Sequence, residues 1–255
     1  HPDEVDRLDL QHFALREALG ANFLAPVESP VRVLDVGTGT GQWGFEVGHR
    51  FPGALVVGFD LVRGKPNPPS GYRHVRGNLL QGLPFRDDVF DFVHQRLLVA
   101  GIPVAAWPEA VGELVRVTRP GGWIELVEGL LTRGRRLGPA GEQLAELIHR
   151  RLMGPLGLDT AGSVLDVLDE HLRRAGLERV TRREIELPVG EWGGRVGSFL
   201  ATDFRAAGQR LCEVLRRKST EQAEEAAELL RQTVDEFERH HTTWPVVIVY
   251  GRRPR

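Results

Sequence analysis

Three glycines at alternate positions directly follow a β-branched run that carries one acid. The run contains Asp35, and Gly37, Gly39 and Gly41 come next. Glycine is needed where the backbone takes a positive φ or where a ligand approaches the main chain closely. A dinucleotide-binding loop has its third glycine one position later, where this chain has Gln42, and it carries a pyrophosphate. An acidic strand end suits a cation better, so the pattern predicts a ligand with a sulfonium or an amine.

Polar residues also follow the next two β-branched runs. Asp60 closes the second run and precedes Leu61, and Asn78 with Leu79 follows the third. In an open parallel sheet, an acid at the second strand end meets the ribose hydroxyls of a bound nucleotide. An amide can hydrogen-bond an adenine edge. Asp and Asn are both common in turns, so neither residue alone predicts a ligand. Asp60 and Asn78 predict a nucleoside site because they share the carboxyl edge of the sheet with the glycines.

Residues after the fourth and fifth runs are candidates for the substrate side, because ligands of such sheets lie outside the carboxyl ends of the strands. They are His94, Gln95 and Arg96 after the fourth run and Glu128 after the fifth. A histidine with a pKa of about 6.5 can take a hydroxyl proton at neutral pH. His94 is therefore either a general base or a residue that packs beside the cofactor and orients it. Glu128 is either a base or the partner of an arginine.

These candidate residues can lie close together only if the runs that precede them form one parallel sheet. Short β-branched runs alternate with helical stretches between Val31 and Glu128, which is the βαβ rhythm of an α/β fold with both sheet faces covered. We predict a doubly wound, mostly parallel, seven-stranded Rossmann-like sheet. The predicted strands are 31–36, 54–59, 73–76, 90–94, 123–127, 179–187 and 245–250. Ser163 is predicted to cap a helix that ends near Ala175.

Segments outside the minimal sheet are helical. We expect an N-terminal helical cover at 1–30 and a core at 31–189, with an insertion at about 130–162. A helical cap follows at 190–243, and 244–255 returns to the core as the final strand. The N-terminal helix and the cap are expected to cover the carboxyl ends of the strands and to carry most substrate selectivity.

Composition excludes several classes of partner. The formal net charge is −2, so there is no basic footprint for nucleic acid or an anionic membrane. No stretch reaches the roughly 20 apolar residues of a membrane helix, and Cys212 is the only cysteine, which fits a reducing cytoplasm. His240 and His241 are adjacent on a helix and cannot chelate together, so no metal is predicted. A small-molecule substrate is expected, and a homodimer is left open.

These motifs together resemble the class I S-adenosylmethionine (SAM)-dependent methyltransferases over residues 31 to 128. The match includes the fourth-strand motif at 83–93 and the turn at 119–123, while Asn78 stands where that family more often has Asp. The resemblance implies SAM as the cofactor and methyl transfer as the activity. It implies that the cofactor is bound by Asp35, Gly37, Thr38, Gly39, Gly41, Asp60, Leu61, Asn78, Leu79, His94 and Gln95, with His94 and Glu128 as catalytic candidates.

A closer similarity is to the fungal secondary-metabolism regulator subgroup and its bacterial relatives. It rests on four segments, 7–12, 91–96, 122–128 and 244–251. This similarity implies a natural-product acceptor, at oxygen, carbon or nitrogen. Two alternatives stay open: a SAM-binding cyclase or rearrangement enzyme that transfers no methyl group, and a SAM-binding regulatory protein that acts through partners.

Overall fold

All seven predicted strands are present in the computed structural model, which describes residues 2–255 with side chains from Arg7 onward. His1, the first residue of the predicted N-terminal segment, lies outside the described residues. The strands are β1 (Arg32–Val36), β2 (Leu55–Asp60), β3 (Tyr72–Arg76), β4 (Phe90–Arg96), β5 (Thr118–Glu128), β6 (Glu178–Pro188) and β7 (Thr243–Arg252).

The strands form one sheet in the order β3-β2-β1-β4-β5-β7-β6. The first five strands are parallel to one another, and β7 is antiparallel to β5. The order reverses at β1, so the polar residues at the carboxyl ends of β1, β2 and β4 share one edge of the sheet at a topological switch point. The predicted doubly wound, mostly parallel, seven-stranded fold is confirmed.

Eight α-helices are described. They are α1 (Pro2–Leu19), α2 (Gln42–Arg50), α3 (Trp107–Val117), α4 (Pro139–Ile148), α5 (Ser163–Asp166), α6 (Leu168–Arg174), α7 (Gly194–Arg216) and α8 (Thr220–His240). No helix among the described residues is both long enough and apolar enough to cross a membrane.

The described chain forms two compact units. The sheet unit comprises Ala21–Glu128, Val164–Glu184 and Val247–Arg255. One of its cores lies under α2, where Trp43 and Val47 are buried with Phe23, Val56 and Phe92. β-branched residues fill the strands because both faces of a parallel sheet are buried.

The helical unit comprises the chain up to Gly20, Gly129–Ser163 and Ile185–Val246. Within it, α7 packs against α1 and α8, and α8 also packs against α4. Asp203 of α7 is buried and accepts hydrogen bonds from Arg7 and Gln11 of α1, at 2.6 and 3.0 Å. Ser219 begins α8 as its cap, since its hydroxyl accepts from the Gln222 amide at 3.3 Å.

The prediction for Ser163 was wrong. Ser163 is the first residue of α5, and the carboxylate that accepts its amide belongs to Asp159, at 3.1 Å. The same Asp159 oxygen accepts the Gly162 amide at 2.9 Å. The helix is also interrupted at Val167, which has φ −117 and separates α5 from α6. The helix start is therefore capped by Asp159, four residues upstream, and not by the Ser163 side chain.

The predicted turn at 119–123 lies within β5. The register with β4 shifts between Phe90 and Phe92, so the Pro-Gly-Gly stretch forms an irregularity inside the strand. Gly121 and Gly122 pair with the backbone of Arg253, at 2.9 Å in both directions. Together with the pairing of Thr118 to Phe90 of β4, this extends β5 five residues upstream of the predicted start at Trp123.

Candidate functional site

The glycine loop connects β1 to α2 in a left-handed backbone conformation. Gly37, Gly39 and Gly41 have φ values of 72, 54 and 85°. Residues with a Cβ rarely adopt these values, which explains why the sequence needs glycine at all three positions. A Cβ on Gly37 would also lie 2.6 Å from the Leu98 side chain. The loop is therefore fixed by its backbone and by close packing from the β4 side.

Asp60 connects the glycine loop to the end of β2. One carboxylate oxygen accepts the Gly39 amide at 2.9 Å, and the other accepts the Val62 amide at 3.0 Å. Each carboxylate oxygen has a further lone pair that can accept a hydroxyl. Leu61 and Val62 beside it are 59% and 62% exposed, which leaves an apolar surface next to the carboxylate.

Asn78 begins a 3₁₀ turn after β3, and its side-chain oxygen accepts the Leu80 amide at 3.0 Å. Because a backbone amide can only donate, this bond sets the orientation of the side-chain amide and leaves its NH₂ group as the donor that a ligand can use. The next residue, Leu79, is buried.

His94 is held on two sides beneath the glycine loop. Its Nδ1 lies 2.9 Å from one oxygen of Asp35, and its ring stacks on Trp43 with centroids 3.8 Å apart and planes at 4°. Both His94 and Asp35 are buried, at 1% and 3% exposure. Trp43 is fixed in turn, because its indole nitrogen donates to the Asn22 carbonyl at 2.7 Å.

Burial lowers the pKa of His94 below its ordinary value, and the bond to Asp35 opposes this shift. The ring is therefore neutral at pH 7, with its proton on Nδ1 toward the carboxylate. Nε2 is left as an acceptor. It is buried and has no hydrogen-bond partner within the described part of the chain.

The hydrogen bonds continue from Asp35 to the sheet edge. Thr38 donates its hydroxyl proton to the second Asp35 oxygen at 2.7 Å, and the Tyr72 hydroxyl lies 3.1 Å from the same Thr38 oxygen. Since Thr38 has only one hydroxyl proton, Tyr72 is the donor of that second bond. Four side chains from β1, the loop, β3 and β4 thus form one chain of hydrogen bonds, Tyr72-Thr38-Asp35-His94.

Gly58 makes room for this chain in the middle of β2. A Cβ there would lie 1.8 Å from the Tyr72 hydroxyl and 2.8 Å from the Thr38 methyl. Gly58 pairs with Asp35, and Asp35 pairs with His94, so the three residues form one row across the sheet. Burial raises the pKa of the Tyr72 hydroxyl, which keeps it protonated as the donor.

Glu128 and Gln95 form a second buried group. Gln95 donates its side-chain amide to one Glu128 oxygen at 3.0 Å, and the Val99 backbone amide donates to the other at 2.9 Å. The Leu98 amide also bonds this carboxylate, and burial raises the pKa of Glu128 to about 7. Leu98 is the residue that lies against Gly37. Glu128 thus fixes the turn that supports the glycine loop.

The two catalytic candidates lie on opposite faces of the sheet. His94 and Gln95 are consecutive in β4, and neighbouring side chains of a strand point to opposite faces. Glu128 bonds Gln95 and so lies on the face away from His94.

Three residues of this region were not predicted. Tyr72 and Trp43 were missed, although a glycine inside a strand, Gly58, signals that another group approaches there. Glu125 was also missed, although a charge within a buried β5 is unusual. It accepts the Leu24 and Ala25 amides at 2.7 and 2.6 Å, which anchors the segment before β1. Burial raises the pKa of Glu125 to about 7.

This edge fits an adenosyl ligand with a cationic group. The glycine loop takes the positive-φ conformation expected of a ligand-binding loop, Asp60 offers carboxylate oxygens beside exposed Leu61, and Asn78 offers an oriented amide donor.

Comparison with known proteins agrees with this geometry. Residues 33–122 match the model of a methyltransferase domain. N-methyltransferase sirN of Leptosphaeria maculans is 30% identical over 98% of this chain and 92% of its own length. The chain belongs to the SAM-dependent methyltransferases. The predicted family, enzyme class and cofactor are thereby confirmed.

The chain is also similar to a second curated protein and to a solved structure. Secondary metabolism regulator laeA of Aspergillus fumisynnematus is 27% identical over 74% of this chain and 52% of its own length. A crystal structure of Haemonchus contortus phosphoethanolamine N-methyltransferase 2, in complex with phosphomonomethylethanolamine and S-adenosylhomocysteine, has a TM-score of 0.57. At 16% identity it shows the fold, over 95% of this chain and 57% of the other.

Proposed function

We propose that this methyltransferase transfers the methyl group of SAM to a nitrogen of a small natural product. The observation that carries the proposal is the nearly full-length similarity to a protein named N-methyltransferase in a chain whose strand-end site is complete. Oxygen and carbon acceptors are the competing possibilities, and the assay below separates nitrogen from oxygen. We also propose that the enzyme works in the cytoplasm, and a homodimer stays a prediction.

Bound SAM supplies a methyl group that its sulfonium already activates. The protein therefore contributes alignment and exclusion of water, and it needs no fixed set of catalytic side chains. We propose that Asp60 accepts the ribose hydroxyls while the NH₂ group of Asn78 donates to an adenine edge between Leu61 and Leu79. Gly37, Gly39 and Gly41 allow the cofactor to approach the loop backbone.

His94 acts in this proposal as a positioning residue. Its Nδ1 is committed to Asp35, its ring is fixed on Trp43, and both groups are buried. A general base has to reach the proton that it removes. Nε2, the acceptor nitrogen of His94, is buried. The structure therefore supports a role in which His94 holds Asp35, and through it Thr38, in the conformation that binds SAM.

Glu128 acts in the same way from the other face. Both of its oxygens accept hydrogen bonds from protein groups, and its side chain is fully buried. It holds Leu98 against Gly37, so we propose that it sets the position of the loop from the β4 side.

The test is methyl transfer from isotope-labelled SAM to paired small molecules that carry either an amine or a hydroxyl on the same scaffold, followed by mass spectrometry. We expect the amine member to gain one labelled methyl group and the hydroxyl member to gain none. An Asp60→Ala variant is the control for transfer without the enzyme site. Labelling of the hydroxyl member alone would contradict a nitrogen acceptor. Rearranged product without label would instead support the cyclase alternative, and capture of a protein partner without turnover would support the regulatory one.

A further inference from the structure

A basic pocket lies beside the sheet edge at β3, apart from the proposed cofactor contacts. It has a volume of about 520 Å³, and its walls come from α2, β3 and the segment after β2. Five of the residues that line it carry basic side chains, and none of the described lining residues is acidic. They are Arg63, Lys65, Arg73, His74 and Arg76. A pocket of this size accommodates a small organic ligand.

The arginine charges in this pocket are not compensated by carboxylates. Arg73 donates to its neighbour's carbonyl, Tyr72 O, at 3.0 Å, and Arg76 donates to Leu61 O at 2.9 Å. Both of these acceptors are backbone carbonyls, and neither arginine forms a salt bridge with a described carboxylate. Guanidinium groups that keep free donors are suited to the bidentate recognition of phosphate.

One lining residue also carries a buried polar atom that no group of the described protein satisfies. Nε2 of His74, a lining residue, is shielded from solvent and has no hydrogen-bond partner in the described chain. A buried nitrogen of this kind is normally satisfied by protein, water or a bound group. The aromatic ring of Phe45 and the side chain of Pro66 add apolar wall to the same pocket.

We propose that this pocket binds an organic phosphate, such as a sugar phosphate or a nucleotide. Arg63, Arg73 and Arg76 hold the phosphate, and the organic part lies against Phe45. Charged side chains on an edge strand also discourage pairing with other chains. Protection of the edge strand β3 would explain Arg73 and Arg76. It would not explain the pocket or Arg63, which lies outside the strand.

The pocket is attached to the glycine loop. The Lys65 amide donates to the Thr40 carbonyl at 3.3 Å, and a Cβ on Gly64 would lie 3.2 Å from the Gly39 carbonyl. An occupied pocket therefore contacts the segment that supports the cofactor loop. Any effect of the phosphate ligand on SAM affinity must be matched by an equal effect of SAM on phosphate affinity.

The test is calorimetry with uridine 5′-monophosphate in the presence of saturating S-adenosylhomocysteine, which blocks the cofactor site. We expect the nucleotide to bind, uridine not to bind, and inorganic phosphate to bind more weakly. The double variant Arg63→Gln/Arg73→Gln should weaken nucleotide binding at least tenfold. The matched control Arg86→Gln/Arg183→Gln removes two exposed charges outside the pocket and should change the affinity less than twofold.

Several results would overturn the proposal. These are no binding of the nucleotide at millimolar concentration, competition by S-adenosylhomocysteine, or equal losses in the two double variants. Equal affinity for inorganic phosphate and the nucleotide would show that the pocket does not bind the organic part of the ligand. None of these results bears on methyl transfer, which the labelled-SAM assay tests separately.

Discussion

Replacing Gly58 by Ala tests whether the Tyr72-Thr38-Asp35-His94 chain supports the site. The new Cβ would lie 1.8 Å from the Tyr72 hydroxyl, so Tyr72 must move away from Thr38. Overpacking of a core costs about 1–3 kcal/mol, and the lost hydrogen bond costs about 0.5–1.5 kcal/mol. We therefore expect the free energy of unfolding to fall by roughly 2–4 kcal/mol. S-adenosylhomocysteine should also bind more weakly, because Thr38 belongs to the cofactor loop.

The control for this change is Gly48→Ala in α2. A Cβ at Gly48 has its nearest neighbour at 3.8 Å, an ordinary contact with Val56. The substitution should be neutral or stabilising by up to about 1 kcal/mol, because Ala favours a helix over Gly. Urea unfolding and calorimetric titration measure both effects. If Gly58→Ala is too unstable to study, Tyr72→Phe removes the hydroxyl alone. Equal stability of Gly58→Ala and Gly48→Ala would show that the Tyr72 hydroxyl does not need the space at Gly58.

Three further predictions address the ionisable residues. His94→Ala should weaken SAM binding without changing the shape of the pH–rate profile, and His94→Asn, whose amide can donate to Asp35, should recover part of the affinity. A loss of about 10²–10⁴-fold in kcat, with the acidic limb gone and SAM affinity kept, would make His94 a general base instead. Glu128→Gln should keep methyl transfer within about tenfold, whereas a base would show the larger loss. Burial raises the pKa of Glu125 and Glu128 from 4.5 to about 7, so the folded state keeps protons that the unfolded chain releases. The free energy of unfolding should therefore fall by roughly 3 kcal/mol per group as the pH rises from 4.5 to 7, and urea unfolding of each Gln variant should show a smaller fall. An unchanged pH dependence in both variants would contradict these shifts.

The sheet could be predicted from the sequence because its signals are local. Strand cores such as 31–36 and 90–94 are short runs of β-branched and aromatic residues, and the glycines mark where β1 ends. Strand ends were harder to place. Thr118 joins β5 because it pairs with Phe90 of β4 across a shift in register. Gly121 and Gly122 pair with the chain at Arg253, and no local pattern predicts either partner.

The cofactor edge could be predicted for the same reason, but the groups that support it could not. Asp35, Asp60 and Asn78 stand at strand ends, where topology alone brings them to one edge. The bonds of His94 to Asp35 and of Glu128 to Gln95 depend on the face of the sheet to which each side chain points. A one-residue shift in register would move each side chain to the opposite face. Tyr72 of β3 reaches Thr38 after β1 across the intervening strand β2, a contact that only the folded sheet defines.

The most direct test of the account is the affinity of S-adenosylhomocysteine for Gly39→Val, measured by calorimetry beside Gly53→Val. Gly39 has a φ of 54°, which a β-branched residue rarely adopts, whereas a Cβ on Gly53 meets nothing within 4 Å. We predict that wild type and Gly53→Val bind S-adenosylhomocysteine and show no comparable affinity for NAD. Gly39→Val should bind at least tenfold more weakly while its circular dichroism stays that of the folded protein. Wild-type affinity in Gly39→Val would contradict the placement of the cofactor on this loop.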